Sequence, residues 1–166
     1  MGAGKSTVGR RLAKRLNLPF VDTDAAIADA AGFPAGEVFE RFGEEEFRDG
    51  ERRVVARLVN GEVCIIATGG GAYVDPRTRQ LLNERAITVW LDAPVDVLVS
   101  RTGRRDTRPL LKNGDPRGTL EQLSKERGPL YAEAHIHVTS GESAHNDVVE
   151  AIIAAVGAHL DGRANA

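Results

Sequence analysis

Residues 1–16 read MGAGKSTVGRRLAKRL, and Gly4-Lys5-Ser6 within them fits the end of the phosphate-loop pattern G-x-x-x-x-G-K-[ST]. Gly2 and Gly4 let the backbone turn its N–H groups inward, and a helix starting near Lys5 brings the positive end of its dipole to the same spot. Lys5 has the reach for the outer phosphates, and the Ser6 hydroxyl can ligate Mg²⁺. The bland alternative is a glycine-rich start to an ordinary helix. Against it, Gly-Lys-Ser-Thr stands immediately before Val8, Leu12 and Leu16, apolar positions at helical spacing with Arg and Lys on the opposite face. The pattern's leading glycine would fall about two residues before Met1. A strand normally enters such a loop, so a start roughly eight residues upstream is expected.

Beyond this helix the chain alternates. PFVDTD reads as a short strand bounded by Pro19 and an alanine-rich helical stretch, and residues 37–60 read as helix with a break at Gly43. VCIIA (63–67) is an apolar strand running into TGGG, and ITVWL (87–91) is another, followed by the helical PVDVLVSR. A Gly-, Arg- and Pro-rich loop covers about 102–118, and a helix near 119–133, the strand HIHVT (135–139) and a last helix follow. Apolar strands separated by helices predict an α/β sandwich with a mainly parallel sheet. A single domain over 1–160 is expected, with the lid loop at 102–118 and a disordered tail at 161–166. A sheet without the strand ahead of Gly2 would leave neighbouring backbone groups unpaired.

With 166 residues, 42% of them hydrophobic and 28% charged, the chain suits one buried core. Twenty-two basic against 24 acidic residues give a net charge of -2, which offers no general attraction for nucleic acid or an anionic membrane, so anion binding has to be local. No apolar run approaches the roughly 20 residues that span a bilayer. The one cysteine, Cys64, reads as a small core hydrophobe, and the cytoplasm is the expected compartment.

Several residues carry possible chemistry. Asp22 and Asp24, two apart at the end of a strand, point to one face, where one carboxylate can hold a metal-bound water and the other can deprotonate an attacking hydroxyl. Asp24 can equally cap the helix that follows. Gly69, Gly70 and Gly71 permit a ligand close approach to the backbone and its N–H groups. Arg48 reads as part of a solvated face laced with i,i+3 and i,i+4 pairs. Arg101, Arg104, Arg105 and Arg108 form either a lid over phosphates or a solvated charge run. Arg127 can clamp a carboxylate or cap its helix. His135 and His137 share a strand face without a third ligand at metal spacing, and His145 and His159 read as surface residues.

Taken in order, GAGKST, FVDTD, FRDGE, ATGGGA, RPLL and ERGPLY resemble the shikimate kinase family from residue 2 to about 155. The resemblance implies a three-layer P-loop kinase fold on a parallel sheet, five-stranded in the family with four strands visible here. It implies ATP-dependent phosphorylation of the shikimate 3-hydroxyl, on the route to chorismate and the aromatic amino acids. By it Gly2, Ala3, Gly4, Lys5, Ser6 and Thr7 bind the ATP phosphates, Ser6 ligates Mg²⁺ and Asp22 supports the metal through water. Asp24 holds the shikimate hydroxyls and acts as base, while Arg48, Arg127 and Gly69, Gly70 and Gly71 fix the substrate. Arg108 reaches the ATP phosphates from the lid, Arg101 stacks near adenine, and Phe39, Phe47 and Glu51 shape the pocket. The only partners expected are shikimate and ATP, with the chain a monomer. Two rivals share parts of the pattern: a gluconate-type P-loop kinase, and a domain that senses a ligand without turnover.

Overall fold

Lys5–Leu16 forms α1, burying Val8, Gly9, Leu12 and Ala13 and leaving Arg10, Arg11, Lys14 and Arg15 in water, as the spacing of its apolar positions requires. The computed structural model describes residues 2–103, 115–141 and 144–164. Their contacts group into two units, Ser6–Thr88 and Val89–Ala166 with Met1–Lys5.

In the Ser6–Thr88 unit, α1 leads to β1 (Phe20–Asp22), α2 (Thr23–Ala31), α3 (Ala35–Val59), β2 (Ile65–Ala67) and α4 (Pro76–Arg85). β1 and β2 are parallel, with Phe20 opposite Ile65 and Asp22 opposite Ala67. The expected break in the long helix is real: Gly43 takes φ 84° and ψ 175° inside α3, a conformation open to glycine and little else. Ile27 of α2 packs with Val38, Phe47 and Val54 of α3 as the core. The sequence reading left α4 unassigned, although Asp75 caps it by accepting from the Thr78 N–H at 2.8 Å and Pro76 occupies its first turn.

The other unit holds β3 (Val89–Asp92), α5 (Val95–Thr102), α6 (Pro116–Tyr131), β4 (Ile136–Thr139) and α7 (His145–Ala164). β3 and β4 are parallel, with Val89 opposite Ile136 and Asp92 opposite Thr139. No register among the described residues joins this pair to β1–β2. Ala93, Leu98 and Leu120 form a core against which Ala3 packs. Along β4, Ile136 and Val138 are buried while His137 and Thr139 are exposed, and Trp90 stacks on His137 with centroids 4.2 Å apart.

Several sequence boundaries move: β2 starts at Ile65 rather than 63, β3 at Val89 rather than 87 and β4 at Ile136 rather than 135. Thr102 ends α5 and residues 116–118 open α6, so both ends of the expected lid are helical, and its interior, Arg104, Arg105 and Arg108 included, lies outside the described residues. α7 runs to Ala164, which makes residues 161–164 helix rather than tail. His159 is half-buried, 5.1 Å from the His135 ring, rather than at the surface. No helix among the described residues is long and apolar enough to cross a membrane.

Candidate active site

The loop before α1 turns as its glycines predict, Gly2 at φ 77° and Gly4 at φ 89°. Gly2 lies so close to α5 that an added Cβ would come 3.1 Å from Thr102 Cγ2 and 3.3 Å from the Leu98 carbonyl oxygen. Helix α1 then begins at Lys5, placing its first N–H groups at the end of the loop.

Asp22 ends β1 and does two jobs. Its Oδ2 accepts from the Ser6 hydroxyl at 2.7 Å, and its Oδ1 accepts from the Asp24 N–H at 3.1 Å, capping α2. The cap is therefore Asp22, and the choice left open for Asp24 closes against capping. Asp24 also leaves the strand: it stands exposed in the first turn of α2, so the two carboxylates do not emerge from one strand face as the spacing suggested.

Asp24 meets the glycine run. A Cβ at Gly69 would lie 3.0 Å from Asp24 Oδ1 and 3.3 Å from Glu51 Oε1, so the bare Cα is what allows both carboxylates to come this close. The Gly69 N–H, expected to be available to a ligand, is taken by Thr23 Oγ1 at 3.1 Å. Gly70 follows in the same turn, and at Gly71 any Cβ would collide with the Arg48 guanidinium.

Arg48 has the i,i+3 and i,i+4 partners its helix predicted, Glu51 at 2.6 Å and Glu44 at 3.6 Å, but only the Glu44 side is solvated. The Arg48 side chain is 24% exposed and that of Glu51 1%. Burial pushes the Glu51 carboxyl above its ordinary value; the hydrogen bond and charge of Arg48 pull it back, and Asp24 and Asp75 raise it again. Phe47 packs beneath, edge-on to Phe39 with ring centroids 5.6 Å apart. A cleft of about 370 Å³ opens beside Arg48, lined also by Glu45, Asp49, Arg52, Asp75 and Arg77.

In the other unit, Arg127 is half-buried on α6. The Arg101 guanidinium donates to the segment after β4, Nη2 to the Gly141 carbonyl at 2.7 Å and Nη1 to Ser140 Oγ at 3.3 Å and the Ser140 carbonyl at 3.4 Å. Ser140 in turn donates to the Ala3 carbonyl at 3.0 Å. Sequence reasoning missed Ser140, because a serine after a strand carries no local sign of a partner 137 residues away.

The family model described as Shikimate kinase matches residues 1–157. A shikimate kinase of Novosphingobium aromaticivorans is 53% identical over 160 residues, spanning 94% of this chain and 83% of that relative. One of Rhodopseudomonas palustris is 51% identical, spanning 96% of this chain and 79% of the relative. Among solved structures, shikimate kinase from Acinetobacter baumannii in complex with shikimate superposes with a TM-score of 0.89 at 38% identity, covering 95% of this chain and 89% of that one. With a family model over almost its whole length and relatives at half identity, the chain belongs to the shikimate kinase family.

Proposed function

We propose that this chain transfers the terminal phosphoryl group of ATP to the 3-hydroxyl of shikimate, with Asp24 receiving the hydroxyl proton. One observation carries the reading: the exposed Asp24 carboxylate sits against Gly69, in a cluster whose Arg48 guanidinium is fixed by the buried Glu51. Shikimate is a small anionic polyol, so its site needs a held guanidinium for the carboxylate and an acidic acceptor for the hydroxyls. The hydroxyl oxygen attacks the terminal phosphorus while the bond to the β-phosphate oxygen breaks; ADP leaves, and the proton passes to Asp24. Arg48 and Arg127 take the substrate carboxylate, and the backbone of Gly69, Gly70 and Gly71 lets the ring approach. Gly2 to Thr7 cradle the ATP phosphates, with Lys5 on the outer ones and Arg108 added from the lid segment.

The Ser6 hydroxyl and Asp22 Oδ2, 2.7 Å apart, are an all-oxygen pair of the kind Mg²⁺ takes when phosphates and waters supply its remaining ligands. Mg²⁺ bound there would neutralise charge on the β- and γ-phosphates. Ser6 would serve as ligand, and Asp22 would orient the Ser6 hydroxyl and a water. A monomer working in the cytoplasm completes the proposal, in keeping with a single cysteine that has no partner within the chain.

Asp24→Asn tests the central role. Its kcat with shikimate is expected to fall at least ~100-fold, the lower end of what positioned acid–base groups contribute, with the KM for ATP unchanged. Near-normal turnover removes Asp24 as base. Turnover of gluconate in place of shikimate, or nucleotide binding with no turnover of either, selects a rival reading.

A further inference from the structure

We propose that Ser140, itself held by Arg101, is a positioning residue that aims the N–H groups of the ATP-phosphate loop. The inference rests on reading Gly2 to Thr7 as that loop. Ser140 is 3% exposed and its hydroxyl has a single proton, which goes to the Ala3 carbonyl at 3.0 Å. The Ala3–Gly4 peptide is planar and trans, so its C=O and N–H point in opposite directions. Holding the Ala3 carbonyl on Ser140 therefore directs the Gly4 N–H away from Ser140.

Two further contacts fix this clasp. Arg101 donates to Ser140 Oγ, the Ser140 carbonyl and the Gly141 carbonyl, tying the segment after β4 to α5. Thr102 and the Leu98 carbonyl sit directly behind Gly2, while the Thr102 hydroxyl donates to that carbonyl at 2.7 Å. The loop thus has a floor at Gly2 and a tether at Ala3.

The experiment is titration calorimetry of Ser140→Ala, Ser140→Thr and Arg101→Ala with magnesium ADP and with magnesium tripolyphosphate, beside steady-state kinetics and melting. Ser140→Ala is expected to weaken both ligands by the same factor, about five- to tenfold, as the loss of one buried hydrogen bond implies. The KM for shikimate should stay within about twofold, and Ser140→Thr, which keeps the hydroxyl, should recover most of the loss. Arg101→Ala should weaken tripolyphosphate and add little to that loss on top of Ser140→Ala. Wild-type affinity in Ser140→Ala overturns the clasp. So does unchanged tripolyphosphate affinity in Arg101→Ala, or an equal rise in both substrates' KM, which would signal general loosening. Wild-type protein that binds tripolyphosphate without phosphorylating shikimate sinks the proposed function and not the clasp; binding of neither ligand overturns both.

Discussion

Glu51 carries a formal charge at a side chain only 1% exposed. Burial is the largest influence on its carboxyl and raises it above the ordinary 4.5, more than Arg48 restores. A carboxyl raised by folding binds its proton more readily in the native state. The stability it contributes is full below 4.5 and is lost as pH rises through the folded value. Glu51→Gln has no such titration. In urea unfolding from pH 4.5 up to neutrality, the wild type's advantage over Glu51→Gln should be largest at the acid end and shrink upward; a constant gap would show that Glu51 keeps its ordinary value in the fold. At this scale the sequence was half legible. Spacing alone shows that Arg48 has partners three and four residues away, but the burial of one of them depends on how α2 packs on α3. The roles of Asp22 and Asp24 turned on whether β1 ends at one residue or two later, which is finer than strand patterns resolve.

Elements were the most legible level, because their signals are local. Gly43 announced the break in α3 as a glycine between two amphipathic stretches, and its φ of 84° makes the break a backbone requirement rather than a packing one. Among the described residues an added Cβ at Gly43 or at Gly50 would meet nothing within 4 Å, so the two positions differ only in backbone conformation. Gly43→Ala should cost about 1–3 kcal/mol, the strain of a conformation nearly restricted to glycine. Gly50→Ala, in ordinary helix, should stabilise by about 0.5–1 kcal/mol. Chemical denaturation of the pair checks this, and equal effects would mean the kink is not enforced at Gly43. The helix overlooked between TGGG and β3 was also readable, since Asp75-Pro76 is a cap followed by a first-turn proline. The expected lid was drawn too wide because glycine, arginine and proline also occur in the last and first turns of helices, as they do in α5 and α6.

At the scale of the whole molecule, the chain passes between the two units twice, between Lys5 and Ser6 inside the first turn of α1 and again between Thr88 and Val89. A helix forms cooperatively, so a boundary within one is a poor place for the chain to come apart. Heating should give one calorimetric transition with equal calorimetric and van't Hoff enthalpies, shifted upward by magnesium ADP; two resolved peaks would contradict the single-domain expectation. Little of this level was legible. Arg101 pairs with residues 39 and 40 positions on, and Ser140 with one 137 positions back, and no periodicity or cap encodes such distances. That span has a consequence during synthesis. The glycines leave the ribosome early, while Leu98, Thr102 and Ser140, which surround them in the finished protein, are translated late. At about 5–20 residues per second the nascent chain waits roughly ten to thirty seconds before its opening turn has a fixed shape. Growing polypeptides should accordingly capture no nucleotide until nearly the last helix has been made.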